Sequence, residues 1–159
     1  IQEGILKVGA PADSLNSLVV NSVRRDGQPA GYSRMGNILS FYNKPDVSYY
    51  GGDYDDRITA YTSYGTDEVY GTSFAAPWIS RKMCYLIDVM GMPKEVAKAL
   101  IIDSAAAWDY KIMSENNKSI MGYGVVPIDI RKIVETESDE IRFVVYGTSD
   151  SVLPVPGAP

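Results

Sequence analysis

The sequence contains no histidine, a single cysteine and no long apolar run. Without an imidazole, the chain supplies neither the commonest general base nor a histidine metal ligand, so histidine-dependent chemistry must take that residue from elsewhere. The lone Cys84 excludes an internal disulfide and a cysteine-rich zinc site, and its helical position predicts a small core residue. The longest uncharged stretch, Val69 to Ser80, is too short and too polar to cross a bilayer, so we expect no membrane contact.

Basic side chains are also few, with 15 lysines and arginines against 20 acidic residues and a net charge of −5. Nucleic-acid binding relies on clustered cations, which the isolated pairs Arg24-Arg25 and Arg81-Lys82 do not provide, so we expect no nucleic-acid partner. The apolar fraction of 45% in 159 residues suits one folded domain with a real core. Because Ile1 follows neither an initiator methionine nor a signal sequence, the chain is expected to be a processed product or an excised piece.

Strand patterns are sparse in the first part of the chain. Residues 17–23 are short, β-branched and bounded by turn residues, which predicts a buried strand. Residues 24–68 carry glycine, proline, aspartate and asparagine throughout, which predicts loop-rich surface with short extended pieces such as Ile58 to Tyr61.

Helical periodicity begins after Gly71-Thr72-Ser73. Apolar residues then recur at helical spacing, which predicts a helix of about 17 residues with Gly91 as its stop. This apolar face comprises Ala76, Ile79, Met83, Leu86, Ile87 and Met90. A second helix is expected to open with Pro93 at its first position, and a third near Pro127.

The last part of the chain is predicted to hold an acidic link, Glu135 to Glu140, then a strand, Ile141 to Tyr146. A proline-rich tail, Asp150 to Pro159, need not be ordered. The order of these elements indicates an α/β layered domain, but one clear core strand is too few for a complete sheet. Either the loops contain further strands or the sheet is cut.

The segment Gly71-Thr72-Ser73-Phe74-Ala75-Ala76-Pro77 is the one stretch that asks for a chemical explanation. A serine at a helix N-terminus sits where free backbone N–H groups and the positive end of the dipole stabilise a developing oxyanion. An N-capping serine needs only its hydroxyl and leaves the flanking small residues unexplained. From local physics alone, both the cap and the nucleophile stay open.

Read with its neighbours, this segment resembles the serine-bearing segment of the subtilisin-like serine proteases (subtilases, peptidase S8), whose signature is Gly-Thr-Ser-x-Ala-small-Pro. Five further matches follow in the family's order over about residues 11 to 134. They are Pro11-Ala12 before the strand, Tyr32-Ser33 with Gly36, Lys44-Pro45-Asp46-Val47, the helix from Pro93 to Ala105, and Gly122-Tyr123-Gly124-Val125-Val126.

The resemblance implies a three-layer α/β fold with a mostly parallel sheet, present only as its C-terminal part over residues 1–136. Residues 137–159 are then a strand with a proline-rich tail, or the start of a following region. The implied activity is endopeptidase hydrolysis of protein or peptide substrates through an acyl-enzyme on Ser73. The Ser73 N–H would be one oxyanion donor, with Thr72 as backbone support and Gly71 and Tyr70 as candidate substrate contacts.

By the family's order, the catalytic aspartate and histidine and the oxyanion asparagine precede Ile1, so the isolated chain is expected to be inactive. The absence of histidine after Ser73 also argues against an α/β-hydrolase, in which the histidine follows the serine. No serine has a lysine three residues on, which excludes a Ser-x-x-Lys dyad. The alternatives are a pseudoprotease or peptide-binding module on the same scaffold, and an interaction domain in which Ser73 only caps a helix.

The chain departs from the family pattern at two positions. Arg81 replaces a glycine, and Asn21 replaces the glycine that is common after the strand at Val19-Val20. Burying an unpaired Arg81 or Lys82 would be costly, so this helix should either face solvent or find acidic partners for them. No cofactor or metal is expected: calcium at Asp53, Asp55 and Asp56 fits no EF-hand spacing, and a solvated turn is the alternative.

Two further expectations concern surfaces. Six tyrosines either line a peptide groove or pack in half-buried loops. They are Tyr49, Tyr50, Tyr54, Tyr61, Tyr64 and Tyr70. Because the sheet of a truncated domain exposes a strand edge, we also expect the chain to self-associate.

Overall fold

The computed structural model describes residues 8–34, 36–39, 42–105, 119–136 and 138–145. Strands come first: β1 (Val20–Val23), β2 (Gly36–Leu39), β3 (Tyr42–Lys44), β4 (Val47–Tyr50), β5 (Ile58–Thr62) and β6 (Gly65–Val69). Helices follow: α1 (Thr72–Cys84), a π-helical turn (Tyr85–Val89), α2 (Lys94–Ser104) and α3 (Arg131–Val134). In the part of the chain described, no helix has the length and apolarity that a membrane span requires.

Strand β4 lies at the centre of a parallel sheet. It pairs with β1 in a register that places Val20 opposite Val47. On its other side, Ser48 forms a parallel bridge with Val125, and the Ser48 N–H donates to the Gly124 carbonyl at 2.7 Å. Parallel strands need cover on both faces, which agrees with the burial of β4. The prediction of an α/β fold with a mostly parallel core sheet is confirmed.

The prediction of loop-rich surface for residues 24–68 is wrong for β4, where Val47, Ser48 and Tyr49 are buried. It is confirmed in part elsewhere, because the extended piece predicted from Ile58 to Tyr61 is β5, which forms an antiparallel hairpin with β6. Strands β2 and β3 form a second hairpin, with a register irregularity between Asn37 and Leu39.

A buried ion pair fixes the entry to β4. The Lys44 side chain is 0% exposed, and its ammonium lies 2.6 Å from an Asp46 carboxylate oxygen. The ammonium also donates to the Ser17 carbonyl at 2.8 Å, and the same carboxylate oxygen accepts the Val19 N–H at 2.6 Å. This pairing joins the loop before β1 to the loop before β4, because each charge has several partners in place of water.

Helix α1 confirms the helix predicted to follow Ser73. Helical residues continue from Thr72 to Val89, with the last turn wound as a π-helix, and Gly91 then adopts a left-handed φ of 70°. A glycine reaches that conformation without steric cost, so Gly91 ends the helix as predicted.

The buried stripe of α1 and its π-helical turn runs through Ala75, Ile79, Lys82 and Leu86, at alternating spacings of four and three. Cys84 lies between the stripe positions and is exposed, so the prediction of a core cysteine is wrong. Of the predicted apolar face, Ile79 and Leu86 are buried, and Met83 and Ile87 pack partly buried against the same core, whereas Met90 is exposed. The buried Lys82 was missed, because sequence patterns do not assign a lysine to the core.

Lys82 can be buried because its ammonium contacts a backbone carbonyl and an aromatic ring within the core. Its Nζ donates to the Ile128 carbonyl at 2.6 Å and lies 5.7 Å from the centre of the Tyr49 ring. Burial lowers the pKa of Lys82, while the nearby Asp129 carboxylate raises it. Arg81 is exposed, with its guanidinium 5.7 Å from the Trp78 ring. The sequence predicted that these two cations would either face solvent or find acidic partners. Arg81 faces solvent, whereas Lys82 is buried and bonds to a backbone carbonyl.

Helix α2 packs Ala97 and Ile101 into the core, with Pro93 as its N-cap residue and not its first helical residue. The third predicted helix, α3, begins at Arg131, later than expected from Pro127, and buries Ile133. Residues 141–145 are irregular and exposed, so the predicted strand is wrong over that range. The predicted tail, Asp150 to Pro159, lies outside the described residues, and the division at residue 136 stays a prediction.

Candidate active site

Helix α1 begins at the carboxyl end of the parallel strands. Gly71 is its N-cap residue, with φ 144° and ψ 157°, and no side chain caps the helix. Ser73 is therefore the second residue of the helix and does not occupy the N-cap position. The first N–H groups of any helix lack helical partners and carry the positive end of its dipole. The serine thus stands where an anionic oxygen is stabilised.

A close backbone approach fixes this helix start. The Gly71 N–H donates to the Gly51 carbonyl, just after β4, at 2.8 Å. A Cβ on Gly51 would clash with the Ser22 hydroxyl oxygen and would lie 2.8 Å from the Gly71 carbonyl oxygen. Only glycine fits between the ends of β1 and β4 and the helix. The sheet therefore sets the position of Gly71, and through it the position of Ser73.

The Ser73 hydroxyl is accessible. Its side chain is exposed, and no residue in the described part of the chain hydrogen-bonds it. Pro77 lies four residues later and has no N–H to donate, so the Ser73 carbonyl lacks the usual helical partner. An unpaired hydroxyl with free backbone groups beside it is suited to attack a substrate carbonyl, provided that a base takes its proton.

A cleft of about 270 Å³ adjoins the helix start. Thr72, the neighbour of Ser73 in the chain, is one of its lining residues, as are Tyr32 and Arg34. Residues 8–12, residues 19–21 at the start of β1, and Pro45 complete the lining. A groove beside an extended strand has the shape that an extended peptide segment fits.

An aromatic cluster supports the residue before the glycine. The Tyr70 ring lies 4.9 Å from the Tyr54 ring and 5.7 Å from the Tyr32 ring, centre to centre. The Arg57 guanidinium stacks over Tyr70 at 5.4 Å. The Tyr32 hydroxyl donates to the Gly52 carbonyl at 2.9 Å, and burial raises the pKa of this phenol. These contacts hold the turn that leads into Gly71.

The six tyrosines named from the sequence do not form one groove. Tyr49 is buried in the core, whereas Tyr61 and Tyr64 are exposed on the β5–β6 hairpin. Only Tyr54 and Tyr70 of that set join the cluster, together with Tyr32, which the sequence interpretation had not included. Tyr32 lies in a turn, after Gly31 and the buried Ala30. A turn has no repeating apolar pattern, so the sequence around Tyr32 does not predict its contacts with Tyr54 and Tyr70.

The acidic loop after β4 is held by arginines. Asp53 is buried, accepts the Gly31 N–H at 2.9 Å and lies 3.3 Å from the Arg24 guanidinium. Arg24 also binds both carboxylate oxygens of Asp55, at 2.7 and 3.2 Å. The sequence interpretation that placed Asp53 in a solvated turn is therefore wrong for this residue. Among the described residues, no cluster of acidic, cysteine or histidine side chains is arranged to hold a metal ion.

A parallel sheet with a helix at its carboxyl edge defines an α/β protein, and an exposed serine lies at the start of that helix. The chain belongs to the subtilase family, whose model matches residues 1–124. The family suggested by the serine motif is thus confirmed. No curated protein matches the chain significantly.

Solved structures of proteases share the fold. The epidermin leader peptide processing serine protease EpiP from Staphylococcus aureus aligns with a TM-score of 0.64 at 18% identity, over 84% of this chain and 34% of that chain. The prenylagaramide maturation protease PagA aligns with a TM-score of 0.60 at 23% identity, over 79% of this chain and 44% of that chain. The chain therefore spans between a third and a half of the length of these proteases.

Proposed function

We propose that this chain forms the serine-bearing part of a serine endopeptidase whose substrates are proteins or peptides. The observation that carries the proposal is the exposed, unpaired Ser73 hydroxyl at the start of α1, anchored to the sheet through Gly71 and Gly51. Membership of the subtilase family supports it. Gly71 and Tyr70, which immediately precede this helix start, are the proposed substrate contacts, with the adjoining cleft.

The proposed reaction uses Ser73 as a nucleophile. Its Oγ attacks the scissile carbonyl carbon, the C–N bond breaks, and the amine leaves with a proton while the acyl group stays on Ser73. Water then attacks the ester and releases the acid, which restores the hydroxyl. The free N–H of Ser73 stabilises the negative charge on the carbonyl oxygen in both steps, with the neighbouring Thr72 holding the backbone.

This chain does not supply the base that takes the Ser73 proton, because it contains no histidine. In the proposal, the aspartate, the histidine and a second oxyanion donor, an asparagine, come from the part of a subtilase domain that this chain does not span. Loss of one oxyanion donor alone costs about 100-fold to 1,000-fold in rate. The isolated chain is therefore proposed to be inactive.

A peptide-binding module without catalysis is the second candidate. The cleft beside Thr72 favours it, because an extended peptide fits there whether or not Ser73 reacts. The two candidates differ in what happens to the peptide after binding: the endopeptidase releases two products, and the binding module releases the peptide intact.

The test joins this chain to the remainder of its catalytic domain and measures hydrolysis of fluorescently labelled casein. The proposal expects hydrolysis that Ser73→Ala abolishes and Ser80→Ala preserves, because Ser80 is an exposed serine of the same helix. The isolated chain should release nothing. Hydrolysis that survives Ser73→Ala removes Ser73 from the reaction, whereas casein binding without hydrolysis favours the binding module.

A further inference from the structure

The β5–β6 hairpin projects from the rest of the molecule. Residues 61–68 are all exposed, and the rings near its tip are almost entirely in solvent, with Tyr61 at 90% and Tyr64 at 101% of full exposure. An isolated two-stranded hairpin is only marginally stable in water. Tyrosines are also enriched where proteins meet, because they bury a large ring and still offer a hydroxyl. The hairpin therefore has the character of a contact element.

The open edge of β5 can be read from the register. A two-residue turn, Ser63-Tyr64, joins the facing residues Thr62 and Gly65, so these form the first hydrogen-bonded pair. Antiparallel pairs alternate, which makes Ala60 with Asp67 the next such pair. Thr59 and Tyr61 therefore direct their backbone N–H and C=O groups away from β6. Both residues are exposed, and among the described residues β5 pairs with no strand other than β6, so this edge is open.

The two edges of the hairpin differ in charge. From Ile58 to Thr66 the chain has no charged residue, no proline and no bulge. Natural edge strands use charged residues, prolines or bulges to prevent pairing with another chain. Strand β6 has such protection, because Asp67 and Glu68 both lie in it. Strand β5 is therefore the unprotected edge, rich in β-branched and aromatic residues that favour strands.

We propose that a second copy of this chain pairs with β5 through an antiparallel β5–β5 contact, which joins two hairpins into one four-stranded sheet. A two-fold axis at Ala60 places Thr59 of one copy opposite Tyr61 of the other. Each of these two pairs exchanges two backbone hydrogen bonds, about four in total. Each also sets an aromatic ring against a β-branched residue, a favourable cross-strand combination.

The charges permit this pairing at β5 and oppose it at β6. In the β5 pairing, Arg57 of one copy faces Ser63 of the other, so no like charges meet. The equivalent two-fold pairing of β6 would set Asp67 against its own copy, and like charges directly opposite destabilise a sheet.

The outer edge of β1 is a poorer candidate, because the Ser22 carbonyl there already accepts the Ala30 N–H at 3.1 Å. The self-association expected from the sequence was placed at the edge of a truncated sheet, whereas this pairing uses the β5 edge of a separate hairpin. It does not depend on protease activity.

Sedimentation velocity across a dilution series of the 159-residue chain tests the proposal. The wild type should shift toward twice the chain mass of 17.4 kDa as concentration rises. Tyr61→Pro removes the outward N–H and leaves the bonds to β6 in place, so it should weaken association by about tenfold or more. Tyr61→Thr keeps that N–H and should weaken association less.

Two further variants complete the design. Tyr64→Thr removes an equally exposed ring at the turn and should associate like the wild type. Ala60→Lys places a lysine beside Asp67 within the hairpin but opposite its own copy across the axis, so it should keep the fold and give a monomer. Circular dichroism checks that each variant is folded. A wild type that stays monomeric, or association that Ala60→Lys and folded Tyr61→Pro leave unchanged, overturns the proposal.

Discussion

The backbone N–H of Gly71 donates to the carbonyl of Gly51 across 2.8 Å, and this bond ties the start of α1 to the end of β4. The two glycines come from segments that are twenty residues apart in the chain. Gly51 allows the approach because it has no Cβ, and Gly71 uses a φ of 144° that other residues rarely adopt. The position of Ser73 is therefore a property of the sheet as much as of its own helix.

Substitution of Gly51 tests this coupling. In Gly51→Ala the new Cβ would meet the Ser22 hydroxyl and the Gly71 carbonyl, so the free energy of unfolding should fall by about 1–3 kcal/mol. Urea denaturation measures the change. Gly9→Ala is the matched control, because a Cβ there has nothing within 4 Å, and it should leave stability nearly unchanged. Equal stability of the two variants would show that the close approach at Gly51 is not required.

The buried ion pair gives a second prediction. Lys44→Met leaves the Asp46 carboxylate buried without its ammonium, which should cost about 3–5 kcal/mol of stability. Adding Asp46→Asn removes that uncompensated charge and should recover part of the loss. Lys94→Met is the control, because Lys94 pairs with Glu95 in solvent, where such pairs contribute about 0–1 kcal/mol. Urea unfolding of the three variants measures these changes. A loss of unfolding free energy in Lys44→Met that is no larger than the loss in Lys94→Met would contradict the prediction.

Asp129 makes a prediction about pH. Hydrogen bonds from the Arg131 side chain and backbone lower the pKa of its carboxyl from the ordinary 3.8 to about 2. Because the folded state favours the ionised form, the associated stability is present above the ordinary value and is lost as the pH falls through about 2. An NMR titration should show the carboxyl pKa rising toward 3.8 in Arg131→Ala and changing less in Lys132→Ala. An unchanged value in Arg131→Ala would contradict this assignment of cause.

The exposure of Cys84 is directly measurable. Since the thiol lies off the buried stripe of α1, it should react with a chromogenic disulfide reagent in the native chain at a rate close to that of the unfolded chain. If the thiol reacts only after denaturant is added, Cys84 is buried in the core, as the sequence predicted, and the exposed position is wrong.

The elements that the sequence predicted well are those whose signal is local. The helix after Ser73 has both a helical apolar repeat and a glycine stop, and β1 has β-branched residues between turns. Local patterns missed strand β4, because its four residues follow Lys44-Pro45-Asp46, which is typical of a turn. Only the family resemblance, through Lys44-Pro45-Asp46-Val47, indicated that a strand follows. Its burial comes from distant partners, the β1 strand and the segment around Val125, which no local pattern encodes.

The reverse error occurred at residues 141–145. Ile141, Phe143 and Val145 alternate as a strand does, yet they are 89%, 81% and 75% exposed. Alternation makes a strand only where a neighbouring strand accepts its hydrogen bonds, and none of the described residues pairs with them. At the candidate site, the motif located Ser73, but the anchoring role of Gly51 and the contact of Tyr32 with Gly52 depend on tertiary packing.

The most direct measurement is mapping of a fluorophosphonate adduct on the polypeptide that joins this chain to the remainder of its catalytic domain. We expect a single adduct on the peptide that contains Ser73, no labelling of the isolated chain, and loss of the adduct in Ser73→Ala but not in Ser80→Ala. An adduct on another residue, or an active protease whose Ser73 stays unlabelled, would show that Ser73 is not the nucleophile.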